Sequence, residues 1–294
     1  MAESKLLNIV TVVRDDLIGL RRTISSICSQ DRTLIRKVLI LDGNSTDGTW
    51  EYIQELNDPL FAVHQATPSG VYPALNSAMA KLFEQNPPDE DHLLFLNAGD
   101  FFVNSQSVRV INDLVGDQQF SCFSTFMLDT RDFPNALAPI PNLGQGNSYM
   151  NPCVFWLPHQ GIVVSVKVCR TVGDFSTKFS IASDYDWILK VFDLVGPPGI
   201  FSERAVIQMI DGISNRRAYL GYQERVMITR QRGLQVISLK KFLVLKMRLR
   251  EFASRFGLLE SANKKIFEIS VGDKDQLSDD SPWRSYFEFT DHSK

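Results

Sequence analysis

The chain has 294 residues, of which 44% are hydrophobic and 11% aromatic, and its formal net charge is −3. This composition supplies enough apolar side chains for a packed core and excludes a largely disordered protein. The slightly negative charge argues against nonspecific binding to nucleic acid, so we expect no nucleic-acid partner. The four cysteines are widely spaced without a C-x-x-C pair, which is typical of reduced thiols rather than of a disulfide framework or a zinc site.

The first ten residues and the hydropathy of the chain bear on its location. The segment MAESKLLNIV is short and polar ahead of the first apolar run, unlike a secretory signal peptide. No stretch of the chain approaches the roughly 18 uncharged apolar residues that a membrane-spanning helix needs. We therefore expect a cytoplasmic protein.

Apolar runs alternate with helical patterns in the first part of the chain. Continuous apolar runs are typical of buried parallel strands, and parallel strands need crossover helices. The alternation therefore predicts an α/β fold with a doubly wound sheet and right-handed crossovers. Strands are predicted at Leu6–Val13, Lys37–Leu41, Phe61–Gln65 and His92–Leu96, and helices at Leu17–Ser29, Gly48–Asn57 and Tyr72–Phe83.

The pattern changes after this alternation. Phe120–Leu128 is predicted to be a strand, and Val163–Val168 a second ordered stretch. The segment Phe133–Pro158 is rich in Pro, Asn and Gly, and so long a loop is usually a binding loop or a lid. A helix is predicted at Asp184–Leu194, and the chain beyond Tyr219 is helical and increasingly basic.

A basic amphipathic pattern covers Val236–Phe256. The segment contains six Lys and Arg residues and a single acid, Glu251, and its Leu and Phe residues share one helical face. Such a helix suits an anionic membrane surface, and the alternative is a core-packing helix with a solvated basic face. We predict a nucleotide-binding and catalytic domain at residues 1–216, a basic helical appendage at 217–271 and a flexible tail at 272–294.

The stretch KVLILDGNSTDGT, at Lys37–Thr49, is the strongest local signal in the chain. Asp42 stands at the carboxyl end of a buried strand, which is where open α/β sheets bind ligands. A carboxylate there suits the imide N–H of a uracil or a ribose hydroxyl. Ser45 or Thr46 is a predicted N-cap of the next helix. The alternative is that Asp42 and Asp47 only cap and close the loop.

Two further groups of acids carry possible chemistry. Asp100 follows another strand, so it belongs at the same edge as Asp42 and could hold a divalent cation that neutralises a diphosphate. The alternative is that Asp100 only caps the following segment. Asp184 and Asp186 lie in the first turn of their predicted helix, where acids also commonly complement the helix dipole.

The motif DGNSTDGT resembles the signature D-D/G-x-S-x-D-G-T of inverting family 2 glycosyltransferases with a GT-A fold. The resemblance runs from Leu7 to about Asn215 and is strongest to the branch that builds bacterial exopolysaccharides and O-antigens, of the colanic-acid type. It implies a GT-A, Rossmann-like, doubly wound mixed sheet with a C-terminal helical appendage. It also implies transfer of a sugar from a UDP- or GDP-sugar donor to a saccharide acceptor on a lipid carrier, at the inner face of the plasma membrane.

The resemblance also implies roles for individual residues. The segment IASDYDWILKV resembles the one that carries the catalytic base, which makes Asp184 the base and Asp186 the alternative. Asp100 corresponds to the ligand of Mg²⁺ or Mn²⁺, although Asn97 and Gly99 stand where many relatives carry acids.

Donor and acceptor contacts follow from the same resemblance. The segment SGVYPALN resembles N-G-I-Y-D-A-M-N, with Pro73 in place of the acid. His159 and Gln160 match a His-Gln pair expected to support the acceptor, and the loop Asp211–Asn215 matches another loop of the branch. The implied donor-binding residues are Thr11, Val13, Arg14, Asp42, Asn44, Ser45, Gly70, Tyr72, Asn76, Asn97 and Ala98.

Two other functions compete with glycosyl transfer. A noncatalytic nucleotide-sugar-binding protein is suggested by the loss of acids at Asn97 and Gly99. A Rossmann-type oxidoreductase is disfavoured, because no G-x-G-x-x-G follows the first strand.

Overall fold

The protein, described here as a computed structural model, is organised around a single mixed β-sheet. The structure describes residues 5–67, 70–128, 157–209, 217–233, 244, 245, 248 and 249. The strands in these residues are β1 (Leu7–Val13), β2 (Ile35–Asp42), β3 (Phe61–Gln65), β4 (His92–Phe95), β5 (Phe101–Phe102), β6 (Phe120–Leu128), β7 (Ile162–Ser165) and β8 (Gly199–Met209). The helices are α1 (Leu17–Cys28), α2 (Thr49–Gln54), α3 (Val71–Glu84), α4 (Ser107–Val115), α5 (Val166–Val172), α6 (Ser183–Val195) and α7 (Ala218–Gln231).

Within the described residues the sheet has eight strands in the order β3-β2-β1-β4-β7-β6-β8-β5. The first half is parallel, since β1 pairs in parallel with both β2 and β4, and β2 with β3. The second half is mixed: β7 pairs antiparallel with β4 and β6, whereas β8 pairs in parallel with β6 and antiparallel with β5. This confirms the predicted α/β fold with a mixed sheet.

Helices cover both faces of the sheet, which is why its central strands are apolar throughout. One hydrophobic cluster packs α1, α2 and α4 against the sheet, and a second packs α3, α5 and α6 against the other face. β1 contributes to both clusters: Ile9 and Val13 lie in the first, and Val10 and Val12 in the second. Because β1 is buried on both faces, its sequence is the continuous apolar run from which the strand was predicted.

Several elements differ from the prediction. The stretch Val163–Val168 divides into the end of β7 and the start of α5, because the Ser165 side chain caps the helix by accepting from the Val168 N–H. The strand β8 and the helix α4 were not predicted. β8 has exposed polar positions such as Glu203 and a bulge opposite Ser124, so it lacks the apolar run that identifies the central strands.

The helix α7 packs directly on α6. Ile228 is buried in a cluster with residues of α6 and of the turn before it, including Ala182, Tyr185 and Leu189. The Tyr185 hydroxyl also lies 3.0 Å from the hydroxyl of Thr229. The first part of the predicted appendage therefore packs against the α/β core, while the domain boundaries at 216 and 271 stay predictions.

Other predicted segments lie largely outside the described residues. These are most of the long loop (133–156), the loop Asp211–Asn215, the tail 272–294 and most of the basic helix. Of that helix, residues 244, 245, 248 and 249 are described and helical, with Leu245 and Leu249 exposed. Arg248 donates to the Tyr219 hydroxyl of α7 at 2.5 Å. Among the described helices, none has the length and apolar character needed to cross a membrane.

A buried carboxylate at the amino edge of the sheet makes the fold testable there. Asp91 accepts hydrogen bonds from the Leu6 N–H at 2.9 Å and from the Arg36 side chain at 2.5 Å, and its own side chain is 2% exposed. We predict that Asp91→Ala lowers the free energy of unfolding by about 3 kcal/mol, because it strands a guanidinium and a backbone N–H. Urea denaturation would measure this loss.

Asp89→Ala is the matched control. Asp89 is 54% exposed and pairs with Arg170 at 3.4 Å. An exposed ion pair contributes about 1 kcal/mol or less, so this variant is expected to unfold near the wild-type midpoint. Equal losses in the two variants would contradict the anchoring role of Asp91.

Candidate active site

The carboxyl ends of three parallel strands meet at one edge of the sheet. Val13, the last residue of β1, pairs with Asp42, the last residue of β2, and Val10 pairs with Phe95 at the end of β4. The loops that follow are joined to β1, since the Val13 carbonyl accepts from the Gly43 N–H at 2.8 Å. This edge is therefore where ligands of an open α/β sheet bind.

Asp42 presents one unused oxygen at this edge. The residue is fully buried, and its Oδ2 accepts from the Ser45 N–H at 3.0 Å and from the Gln65 amide at 3.1 Å. Its Oδ1 is also buried but has no hydrogen-bond partner. Since an unsatisfied buried acceptor costs free energy, and a carboxylate only accepts, this oxygen is suited to an N–H or O–H of a ligand.

The loop after β2 is braced against the loop after β1. Asp15 donates its N–H to the Ser45 hydroxyl and accepts from the Thr46 N–H, both at 2.8 Å. Asp47 accepts from the Leu17 N–H at 3.0 Å through one oxygen and from Thr49 through the other. The contacts of Asp47 therefore agree with the alternative prediction, in which its side chain closes the loop.

The predicted N-cap of α2 is wrong. The helix begins at Thr49 and its N-cap is Gly48, which has a φ of +91°. Ser45 and Thr46 cannot cap it because both bond to Asp15 instead. The Asp47 hydrogen bond to the Thr49 hydroxyl lowers the pKa of Asp47 below its usual value and keeps this carboxyl ionised.

The other predicted donor contacts near β1 differ in accessibility. Thr11 is fully buried and its hydroxyl donates to the Leu96 carbonyl at 2.8 Å, and its donor-binding role stays a prediction. The Val13 side chain is also buried. Arg14 is exposed beside Asp15, and Asn44 has a φ of +57° in the braced loop, so both can reach a ligand.

The turn after β4 is held by α1. The Thr23 hydroxyl accepts from the Gly99 N–H at 3.0 Å and donates to the Asp100 carbonyl at 2.7 Å. Gly99 has a φ of +94°, and an added Cβ would lie 3.7 Å from an Asp16 oxygen. The positive φ explains why glycine, rather than an acid, stands here. Ala98, half-buried in this turn, donates its N–H to the Val12 carbonyl at 3.2 Å.

The same turn offers oxygen atoms to a cation. The Asn97 Oδ1 is buried without a hydrogen-bond partner, and Asp100 is only 5% exposed. Oxygen donors are what Mg²⁺ and Mn²⁺ prefer, so the residue types fit. Within the described residues, however, no three His, Cys, Asp or Glu side chains group closely enough to hold an ion. A cation here would depend on ligands from a bound diphosphate and from water.

Asp100 also has a structural contact. Its Oδ1 accepts from the Met209 N–H at 2.9 Å, which ties the end of β8 to the turn. The alternative prediction was that Asp100 caps the segment that follows it. The contact with Met209 is instead made to a strand more than a hundred residues later in the chain.

Tyr72 uses its hydroxyl within the protein. It is buried in the first turn of α3, donates to the Ile181 carbonyl at 2.7 Å and lies 3.2 Å from the Asp184 Oδ1. Burial and the nearby Asp184 charge raise the pKa of Tyr72 well above its usual value, so it remains a neutral donor. The hydroxyl is therefore engaged within the protein, and the place of Tyr72 in the donor pocket stays a prediction.

Asn76 is committed in the same way. Its amide donates to the Phe175 carbonyl at 2.9 Å, and its carbonyl oxygen accepts from the Phe175 N–H at 2.8 Å. This pair of hydrogen bonds fixes the turn between α5 and α6, and the donor-binding role of Asn76 stays a prediction. Gly70, the N-cap of α3, has a φ of +108° and remains exposed at the edge.

Asp184 and Asp186 have different surroundings although both stand in the first turn of α6. Asp184 is half-buried and accepts from Tyr72 and from the Tyr185 N–H, both through Oδ1. The Asp186 side chain is 14% exposed and pairs with Lys190 at 3.0 Å and Arg232 at 3.8 Å. Two cations therefore neutralise Asp186, whereas Asp184 is held by neutral donors beside the edge where α3 begins.

His159 adds a third unused polar atom at this edge, after those of Asp42 and Asn97. Its ring stacks on Phe95 at 4.8 Å and meets the Phe175 ring edge-on at 5.7 Å. Its Nε2 is buried without a partner, and burial lowers the pKa of His159 although the Asp184 charge opposes this. The imidazole is thus neutral at pH 7. Gln160, also buried, follows it in a 3₁₀ turn, and the acceptor-supporting role of the pair stays a prediction.

Unsatisfied polar atoms concentrate at this edge. Five buried side-chain atoms lack a hydrogen-bond partner in the described part of the chain, and three of them belong to Asp42, Asn97 and His159. Native proteins pair almost all buried polar groups, so such a concentration marks a place where a ligand completes the hydrogen bonding.

Sequence reasoning missed one residue of this region, Glu224. It lies on α7, is 8% exposed and accepts hydrogen bonds from the turn that precedes α6. A glutamate in a polar helical segment ordinarily reads as exposed, so no local pattern in the sequence indicates this contact.

Comparison with known proteins agrees with this geometry. Residues 9–111 match the family model described as Glycosyl transferase family 2, a span that runs from β1 into α4. An uncharacterized glycosyltransferase of Mycobacterium tuberculosis is 26% identical over 193 residues, which cover 65% of this chain and 70% of that protein.

Two solved structures show a similar fold. TarS of S. aureus in complex with UDP has a TM-score of 0.59 at 12% identity, covering 90% of this chain and 76% of that one. The mannosyltransferase PcManGT from Pyrobaculum calidifontis, in complex with GDP-Man and Mn²⁺, has a TM-score of 0.58 at 13% identity, covering 89% and 74%.

The matched residues contain the loops after β1, β2 and β4, and the similar structures share the overall fold. Residues 9–111 thus resemble a glycosyltransferase family 2 domain, and the chain is a glycosyltransferase enzyme with a GT-A fold.

Proposed function

We propose that this enzyme transfers a sugar from a UDP- or GDP-sugar to a saccharide hydroxyl with inversion, and that Asp184 is the base. The observation that carries the proposal is the contrast between the two acids of α6. Asp184 is oriented by Tyr72 without a cationic partner among its described contacts, whereas Asp186 is neutralised by Lys190 and Arg232.

The proposed reaction is a single displacement. The acceptor oxygen attacks the anomeric carbon, its proton passes to the Asp184 carboxylate, and the bond from the anomeric carbon to the diphosphate oxygen breaks. A base is needed because a sugar hydroxyl is a weak nucleophile while its proton remains. Both described hydrogen bonds to this carboxylate are to Oδ1, which supports Oδ2 as the oxygen that takes the proton.

The donor nucleotide is proposed to lie on the loops after β1 and β2. The unsatisfied Asp42 Oδ1 would accept from a base N–H or a ribose hydroxyl, and Arg14, Asn44 and Ser45 remain candidate contacts. The similar structures support a nucleotide-sugar donor, since they bind UDP and GDP-Man.

Asn97 and Asp100 are the residues that would hold Mg²⁺ or Mn²⁺. Such an ion, when bound, would neutralise the charge of the diphosphate leaving group. The Mn²⁺ of PcManGT supports a divalent ion, and the buried Asn97 oxygen without a partner supports this position for it.

The exopolysaccharide or O-antigen branch, the lipid-linked acceptor and the peripheral membrane site remain proposals. They rest on the sequence resemblance and on the basic pattern of Val236–Phe256, of which Leu245 and Leu249 are 53% and 61% exposed. The noncatalytic alternative is set aside, because the matched family and the relatives from M. tuberculosis are glycosyltransferases.

The base assignment predicts different effects for neighbouring substitutions. Asp184→Asn is expected to lower kcat by about two to four orders of magnitude with little change in donor affinity, since a general base is lost. Asp186→Asn should stay within a few-fold of wild type. Release of nucleoside diphosphate from UDP-Glc, UDP-GlcNAc, UDP-Gal and GDP-Man would measure this. The reverse pattern would transfer the role to Asp186.

The metal assignment predicts loss of transfer on chelation. EDTA should abolish activity and added Mn²⁺ restore it, while Asp100→Asn in saturating Mn²⁺ should lower kcat/KM about a hundredfold or more. The asparagine can still accept from the Met209 N–H, so its thermal midpoint should match wild type. Full wild-type activity in EDTA would contradict the metal site.

The contacts of Tyr72 predict a kinetic rather than a binding effect. Tyr72→Phe removes one buried hydrogen bond, so we expect about 1 kcal/mol less stability and up to about tenfold lower kcat. Donor KM should hardly change, because the hydroxyl faces Ile181 and Asp184. A raised donor KM at unchanged kcat would instead favour the donor contact predicted from the sequence.

A further inference from the structure

We infer that Glu224 of α7 is a positioning residue that fixes the backbone turn presenting Asp184. The inference rests on the proposed function, since it assigns a purpose to Glu224 only if Asp184 is the base. It concerns a helix outside the residues that match the family model.

Glu224 saturates its carboxylate on one short turn. Its Oε1 accepts from the Ser180 N–H at 2.9 Å and the Ser180 hydroxyl at 3.0 Å. Its Oε2 accepts from the N–H groups of Ile181 at 2.8 Å and Ala182 at 2.9 Å. A carboxylate offers acceptors on both ends to this set of donors, whereas an amide offers them on one end alone.

The turn is held from its other side by Tyr72. Ile181 donates its N–H to Glu224 and accepts from the Tyr72 hydroxyl through its carbonyl, so both of its polar backbone groups are fixed. The contacts come from different helices, α7 and α3. Since Asp184 follows Ile181 by three positions, rotation of this backbone would move the carboxylate.

The start of α6 depends on this external carboxylate. Ala182 is the N-cap residue and provides no side-chain hydrogen bond to the helix. Glu224 places its negative charge beside the N-terminus of α6, where the helix dipole favours an anion. The turn that leads into the helix is thus held from two sides, by Glu224 of α7 and by Tyr72 of α3.

Glu224→Gln is the decisive substitution because it preserves size and shape. In either orientation of the amide, its NH₂ group faces N–H donors of the turn that formerly met an oxygen. A role in packing alone would survive this change. Ile228→Val is the matched control, since it loosens the packing of α7 on α6 without touching the hydrogen bonds to the turn.

The experiment compares the full-length wild type, Glu224→Gln and Ile228→Val by three measurements. Thermal midpoints report stability, and amide hydrogen exchange at residues 180–182 reports the turn. Nucleoside diphosphate release from the best donor among UDP-Glc, UDP-GlcNAc, UDP-Gal and GDP-Man gives kcat and KM. A misplacement of about 1 Å can cost about a hundredfold in rate, so Glu224→Gln should lower kcat about ten- to a hundredfold with donor KM nearly unchanged.

Faster exchange and lower kcat in Glu224→Gln, with wild-type kcat in Ile228→Val, would establish the role. The inference is overturned if Glu224→Gln keeps wild-type kcat, or if both variants lose kcat in proportion to their stability. Under either of these outcomes, turnover by the wild-type enzyme would still support the proposed function. A wild-type protein that neither binds nor cleaves any of the four donors would overturn the proposed function, and the inference with it.

Discussion

The parallel pairing of β1 with β2 on one side and with β4 on the other fixes the edge of the sheet at which the candidate site lies. The pairing aligns Val13 with Asp42 and Val10 with Phe95, so the loops that follow these strands meet at one edge. The strands can remain apolar because helices cover both faces. The polar residues are consequently concentrated where the strands end.

This edge contains polar groups in two distinct conditions. Asp42, Asn97 and His159 each keep a buried atom without a partner, which costs free energy in the absence of a ligand. Glu224 instead has all its oxygens engaged by neighbouring backbone and hydroxyl donors. The first group is arranged for a ligand, and the second holds the protein around it.

The sequence predicted the elements whose signal is local. Buried strands β1 to β4 appear as apolar runs, and Asp42 stands out because a charge ends such a run. The strand β8 was missed because its first six residues are exposed or half-buried and include Glu203, so it lacks a long apolar run and its pairing depends on β6.

Roles that depend on distant contacts could not be predicted from local pattern. Tyr72 and Asn76 resembled donor contacts, yet their polar atoms bond to residues about a hundred positions later in the chain. Glu224 gave no signal because its partners are brought to it only when α7 packs on α6. The two acids of α6 stand in the same first turn, and they are distinguished by the cations beside Asp186 and the neutral donors on Asp184.

The two halves of the site are therefore built by different means. The half that contains Asp42 and Asn97 lies on loops at strand ends inside the matched residues 9–111, and the strand register fixes it. The half that contains Asp184 lies on a helix start held between α3 and α7 by side-chain hydrogen bonds. If Glu224 positions Asp184 as we propose, substitutions in α7 would change how the second half presents its carboxylate while the strand register keeps the first half in place.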